Sequence, residues 1–93
     1  MSTQSFASPH PAATTYAGTI HFRGAYAYFK DDADHWALLE MDSPFSGVLN
    51  FAIAAHTASR LAESYQENDP VQFHGIAAIV TYNQQPLQIL FLC

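Results

Sequence analysis

Hydrophobic and polar positions alternate along most of the chain, and the alternation predicts strands. In "TYAGTIHFRGAYAYFK", Tyr16, Gly18, Ile20, Phe22, Gly24, Tyr26 and Tyr28 fall on one face, and Ala17, Thr19, His21, Arg23, Ala25 and Ala27 on the other. A period of two over this length predicts one long first strand. Its two interior glycines predict a bulge or a sharp bend across a core. "DDADH" reads as a polar turn and "HWALLEM" as a second strand. "DSPFSG" has the composition of a turn. "VLNFAI" reads as a third strand, with Leu49, Phe51 and Ile53 on one face.

One segment has helical spacing. Ala54, Ala58, Leu61, Ala62 and Tyr65 recur with a helical period, while His56, Thr57, Arg60, Glu63 and Ser64 fall mostly on the wet side. The helix is expected to stop near Glu67, with Asn68 as a left-handed cap and Pro70 barring continuation. "VQFHGIAAIVTY" predicts a fourth strand, "NQQP" a turn and "LQILFLC" a fifth strand. Residues 1–14 are mostly Ser, Thr, Ala, Pro and His. That composition predicts a flexible arm ahead of a single domain over 15–93.

The order strand, strand, strand, helix, strand, strand resembles the OB-fold. That fold is a mainly β, five-stranded Greek-key barrel, here expected with one helix between strands 3 and 4. A mixed α+β sandwich uses the same elements. Within the OB class, Phe51 to Gly75 is similar to the central part of bacterial single-stranded DNA-binding proteins. In that family a strand ending in an aromatic enters a helix of the Ala-x-x-Leu-Ala type, followed by a Gly-Asp-Pro-Val turn and an alternating strand ending in Gly. Phe51, "ASRLAESY", Asn68-Asp69-Pro70-Val71 and Gly75 stand in those places. Asn68 replaces the usual Gly, and both residues tolerate a left-handed backbone. "GTIHFRGAY" is similar to the family's opening strand. These details concern a cap, a turn and a close backbone approach. The resemblance implies binding of single-stranded DNA or RNA by a homo-oligomer. The basic residues that line the family's groove are missing here.

Charge narrows the picture. Charged residues make up 12% of the chain, against about 25% in a typical soluble domain. Such a surface is expected to be partly covered by a second copy, a partner or a ligand. The net charge is −5, and the permanent cations are Arg23, Lys30 and Arg60. This balance argues against binding driven by phosphate contacts and leaves room for binding driven by stacking. The single cysteine, Cys93, excludes an internal disulfide and a cysteine zinc site, and predicts a reducing compartment. "MSTQSFASPHPAATT" lacks a signal-peptide pattern, and no apolar run approaches the roughly 18 residues of a membrane helix. A cytoplasmic location is expected.

The candidate chemistry is aromatic. Trp36, Tyr26, Tyr28 and Phe45 are expected to stack bases, with Phe29 and Tyr82 in the same aromatic set. His21, Arg23 and Lys30 are expected to meet phosphates; as ordinary solvated strand residues they would look the same. "DDADH" offers carboxylates and an imidazole but lacks the Gly and Glu of a calcium loop, and reads as a solvated acidic tip. The histidines show no ligand spacing, so no metal or cofactor is expected. No nucleophile motif is present, which argues against an enzyme. "LQILFLC" is apolar on both faces, so Leu90 and Leu92 are expected at an oligomer interface. The leading expectation is a non-catalytic single-strand-binding protein. The alternative is a protein-interaction or oligomerisation module on the same barrel, without nucleic-acid binding.

Overall fold

The computed structural model describes residues 12–41 and 49–93. Its elements are β1 (Thr14–Arg23), β2 (Tyr26–Lys30), β3 (Trp36–Glu40), α1 (Phe51–Leu61), β4 (Pro70–Tyr82) and β5 (Gln85–Leu92). The chain is mainly β, with five strands and one helix between β3 and β4.

The strand count agrees with expectation through two offsetting differences. The long first strand is in fact the hairpin β1–β2, in which Arg23 pairs with Tyr26 across a two-residue loop. Gly24 opens that loop at φ 59, the left-handed conformation that the first position of a tight II′ hairpin loop requires. The expected third strand, "VLNFAI", is instead the entry to α1. Asn50 is its N-cap, with Oδ1 accepting from the backbone N–H groups of Ala52 at 3.1 Å and Ile53 at 3.2 Å. Such a cap satisfies N–H groups that have no partner inside the helix. α1 ends at Leu61, earlier than expected. Asn68 does adopt φ 71, but it turns the chain into β4 rather than capping the helix.

The strands form a closed ring in the order β1-β2-β3-β5-β4, with β4 paired back onto β1. All pairs are antiparallel except β3 with β5, which are parallel. The β4–β5 loop is Asn83-Gln84, both at positive φ, as a I′ hairpin demands. β1 is shared: Thr19 to Arg23 pair with β2, and Thr14 to Thr19 pair with β4.

Inside the ring lie Tyr16, Ile20, Phe29, Leu39, Phe73 and Leu90, with Ala58 and Leu61 of α1 packed against them. On the outer face, Leu38, Ala78, Ile89 and Phe91 form a second cluster, covered by Ala54 of α1. Leu90 is therefore 0% exposed within its own chain, and Leu92 packs against the inner core. β5 is paired on both sides, with β3 and β4. The strand is therefore not bare: Leu90, expected at an oligomer interface, is buried within its own chain, and Leu92 is partly buried there.

Ring closure requires close backbone approach. A Cβ on Gly75 would run into the Phe91 carbonyl, and one on Gly18 into the Lys30 carbonyl. A Cβ on Gly24 would meet nothing within 4 Å. Gly75→Ala is expected to cost roughly 3 kcal/mol or more through overpacking. Gly24→Ala should cost only about 1 kcal/mol from its backbone conformation. Urea unfolding of the two variants checks this order.

Candidate functional site

The two-residue loop decides which side chains share a face. Without a turn, Tyr26 and Tyr28 would follow Ile20 and Phe22 inward. With Arg23 paired to Tyr26, and His21 to Tyr28, these four residues point to the same outer side. Lys30 pairs with Trp36 on that side, and Tyr28 with Leu38. The β1–β2–β3 sheet thus gathers His21, Arg23, Tyr26, Tyr28, Lys30 and Trp36 on one outer surface. Phe45, the remaining expected base-stacking residue, lies outside the described residues.

Trp36 is the centre of this surface and is 40% exposed. The His21 ring lies 4.8 Å from it and the Tyr28 ring 6.1 Å, edge-on. The Arg23 guanidinium stands 5.7 Å from the Trp36 ring centroid and the Lys30 ammonium 5.9 Å. Both cations are within cation–π range. Tyr26 turns the other way, with its ring 5.5 Å from Phe51 of α1, which is 5.1 Å from Tyr82 of β4. The aromatics therefore form two groups, Trp36 with His21 and Tyr28, and Tyr26 with Phe51 and Tyr82. Phe51 went unrecognised in the sequence because "VLNFAI" read as a core strand.

The cations are not free. Glu67, from the segment joining α1 to β4, accepts from the Phe22 backbone N–H at 2.7 Å, from His21 Nδ1 at 2.8 Å and from an Arg23 guanidinium N–H at 2.9 Å. A carboxylate only accepts, so Nδ1 of His21 carries the proton. Nε2 then faces the Thr19 hydroxyl at 2.8 Å. His21 is only 5% exposed, so its ring is fixed from both ends. The Phe22 amide, His21 and Arg23, in that order, hold the Glu67 carboxyl down at about 2. The joint itself is pinned to β1: Asn68 N–H donates to Ile20 O at 2.7 Å, and Ile20 N–H to Asp69 O at 3.1 Å. Sequence reasoning took this joint as a folding device and missed Glu67. The pattern gave no signal for it, because the contact spans more than forty residues.

At the acidic tip Asp32, Asp34 and His35 are exposed, as expected, and Asp31 is not. Asp31 is buried, and its Oδ1 accepts from the N–H groups of Ala33 at 3.0 Å and His35 at 2.8 Å. It organises the turn instead of standing in solvent. Among the described residues no group of His, Cys, Asp or Glu could hold a metal ion. A shallow open depression of about 350 Å³ beside the tip is lined by Gly18, Thr19, Lys30, Asp31, Asp32, Asp34 and Asn68. Its three aspartates make it hostile to phosphate, and it shares only Thr19 and Lys30 with the Trp36 surface. Among the described residues no helix is long and apolar enough to cross a membrane.

Glu40, at the end of β3, is 1% exposed, and its Oε2 has no hydrogen-bond partner. Burial pushes its carboxyl up, against the pull of the Asn50 backbone N–H. No family model matches the chain, and no curated protein or solved structure gives a significant match.

The two glutamates have opposite linkage. The raised group, Glu40, favours the folded state at low pH and loses that advantage as pH rises through its folded value. The lowered group, Glu67, contributes above the ordinary carboxylate range and loses its contribution as pH falls toward about 2. Relative to wild type, Glu40→Gln is therefore expected to gain stability as pH rises from 4 to 7. Relative to wild type, Glu67→Gln should lose least near pH 2 and most at neutral pH. Urea unfolding of both variants across pH checks the two signs.

Proposed function

We propose that the ring is an OB-fold barrel and that its outer β1–β2–β3 face binds single-stranded nucleic acid without catalysis. The fold part rests on strand order. A five-stranded ring with a helix between β3 and β4, and with β1 paired to both β2 and β4, has the plan of that barrel, whose ligand face includes strands 2 and 3. The functional part rests on one observation: a half-open Trp36 with His21, Tyr28, Arg23 and Lys30 around its ring. Sequence-tolerant binding of single strands uses aromatic platforms beside cations, and stacking contributes about 1–3 kcal/mol per base. The net charge of −5 requires stacking to carry the affinity, because few phosphate contacts are available.

The protein-interaction alternative is favoured by the low charge alone, since Leu90 of the apolar edge it would use is buried in its own chain. A cytoplasmic setting remains part of the single-strand reading, on the cysteine usage alone.

Trp36 is the sole tryptophan, so its fluorescence reports on the site directly. Titration with oligo-dT at low salt is expected to quench it to saturation. Trp36→Ala should weaken binding of a labelled oligo-dT by about 1–3 kcal/mol, read by anisotropy. A folded protein whose Trp36 emission ignores the oligonucleotide would rule the reading out.

A further inference from the structure

The placement of Glu67 goes beyond a sheet contact. Three donors from consecutive residues of β1 converge on its carboxylate: the Phe22 amide, the His21 imidazole and the Arg23 guanidinium. An amide N–H, an imidazole N–H and a guanidinium are the donors that commonly hold a phosphate oxygen. The seat is pre-organised. His21 is fixed by Thr19 on its far nitrogen and is nearly fully buried. Two of the three donors also touch the stacking ring, His21 at 4.8 Å and Arg23 at 5.7 Å. An anion in the seat therefore sits beside any base stacked on Trp36, where the phosphate of a bound strand would run.

We infer that Phe22 N–H, His21 and Arg23 form a seat for a phosphate-type anion, and that Glu67 fills it with a carboxylate of the chain's own. The face then reads bases by stacking and leaves strand phosphates nearly unread. The seat itself follows from the geometry; its effect on strands rests on the proposed function above. With Arg23 neutralised by Glu67, Lys30 is the remaining cation on the face, and its ammonium is 3.5 Å from Asp34. Both cations are thus paired with carboxylates, and wild type should show a salt slope on single strands shallower than about −0.7, the value for one phosphate contact. Freeing Arg23 should add one contact and steepen the slope by ~0.7.

Two arms separate the parts. In the first, thermal unfolding of wild type and Glu67→Ala is followed in phosphate and in chloride at equal ionic strength. Phosphate is expected to raise the Tm of Glu67→Ala and to leave wild type unchanged. Indifference of the variant to phosphate overturns the seat. Should Glu67→Ala lack a cooperative transition, the isosteric Glu67→Gln takes its place with the same expectation. In the second arm, oligo-dT affinity is measured against salt for wild type and Glu67→Gln. The variant is expected to bind more tightly and with the steeper slope. Equal slopes overturn the role of Glu67 in withholding Arg23. If neither protein binds oligo-dT, the single-strand reading fails and the effect on strands fails with it, while the phosphate arm still decides the seat.

Discussion

Closure of the ring turns on one position, Thr19, where β1 is paired on both sides, to Lys30 of β2 and to Pro70 of β4. Everything upstream of it serves β4 and everything downstream serves β2. A strand that changes partners in this way must bend and lie close to its neighbour. Gly18, next in line, permits this because it has no Cβ to meet the Lys30 carbonyl. Beyond Pro70 the β1 edge is not left bare. Asn68 and Asp69 bond to Ile20, and the Glu67 side chain then takes the Phe22 N–H that a further strand residue would have taken. Buried or edge backbone groups need partners, and here the need is met by a carboxylate. The charge on the candidate face is a by-product of how the ring closes.

That dependence links packing to chemistry in a second way. The outer surface of the ring is divided. Over β3, β5 and β4 it is apolar and covered by the start of α1, with Leu38, Ile89, Phe91 and Ala78 beneath Ala54. Tyr26 and Tyr28 of β2 pack half-buried against that cluster, and beyond them Trp36, 40% exposed, lies against His21. Phe51 stands at the border, against both Tyr26 and Tyr82. The helix thus supplies the ring between Tyr26 and Tyr82 while its Ala54 joins the second core. Trp36 and Tyr82 are left as the exposed aromatics of this surface.

Much of this was legible in the sequence. Period-two alternation found β1, β3, β4 and β5 as strands, and the 3.6-residue pattern found α1. Six of the seven base- and phosphate-contacting candidates meet on one face; the seventh, Phe45, is not among the described residues. The misreadings have local physical causes. "RGAY" continues the alternation by eye, yet a two-residue loop restarts it with the opposite phase, and only the left-handed Gly24 marks the break. "VLNFAI" alternates like a strand, but Asn50 offers a cap to the next N–H groups, and the run of alanines after it prefers a helix. Leu90 and Leu92 looked like an uncovered surface because alternation cannot show that a helix lies over one side of a strand and a ring interior over the other. Glu67 was invisible because its partners are distant in sequence.

The distribution of pairings along the chain carries a consequence for the order of assembly. The β1–β2 and β2–β3 pairings join neighbours in sequence, whereas β1–β4 joins Thr14 to Gly75, near opposite ends of the described chain. Local pairings close small loops and form early; distant ones bear the larger loop entropy and form late. The Trp36 platform belongs wholly to the early meander. The Glu67 carboxylate arrives only with the late closure. With that closure unmade, the same platform would carry Arg23 without the carboxylate that pairs with it in the finished ring.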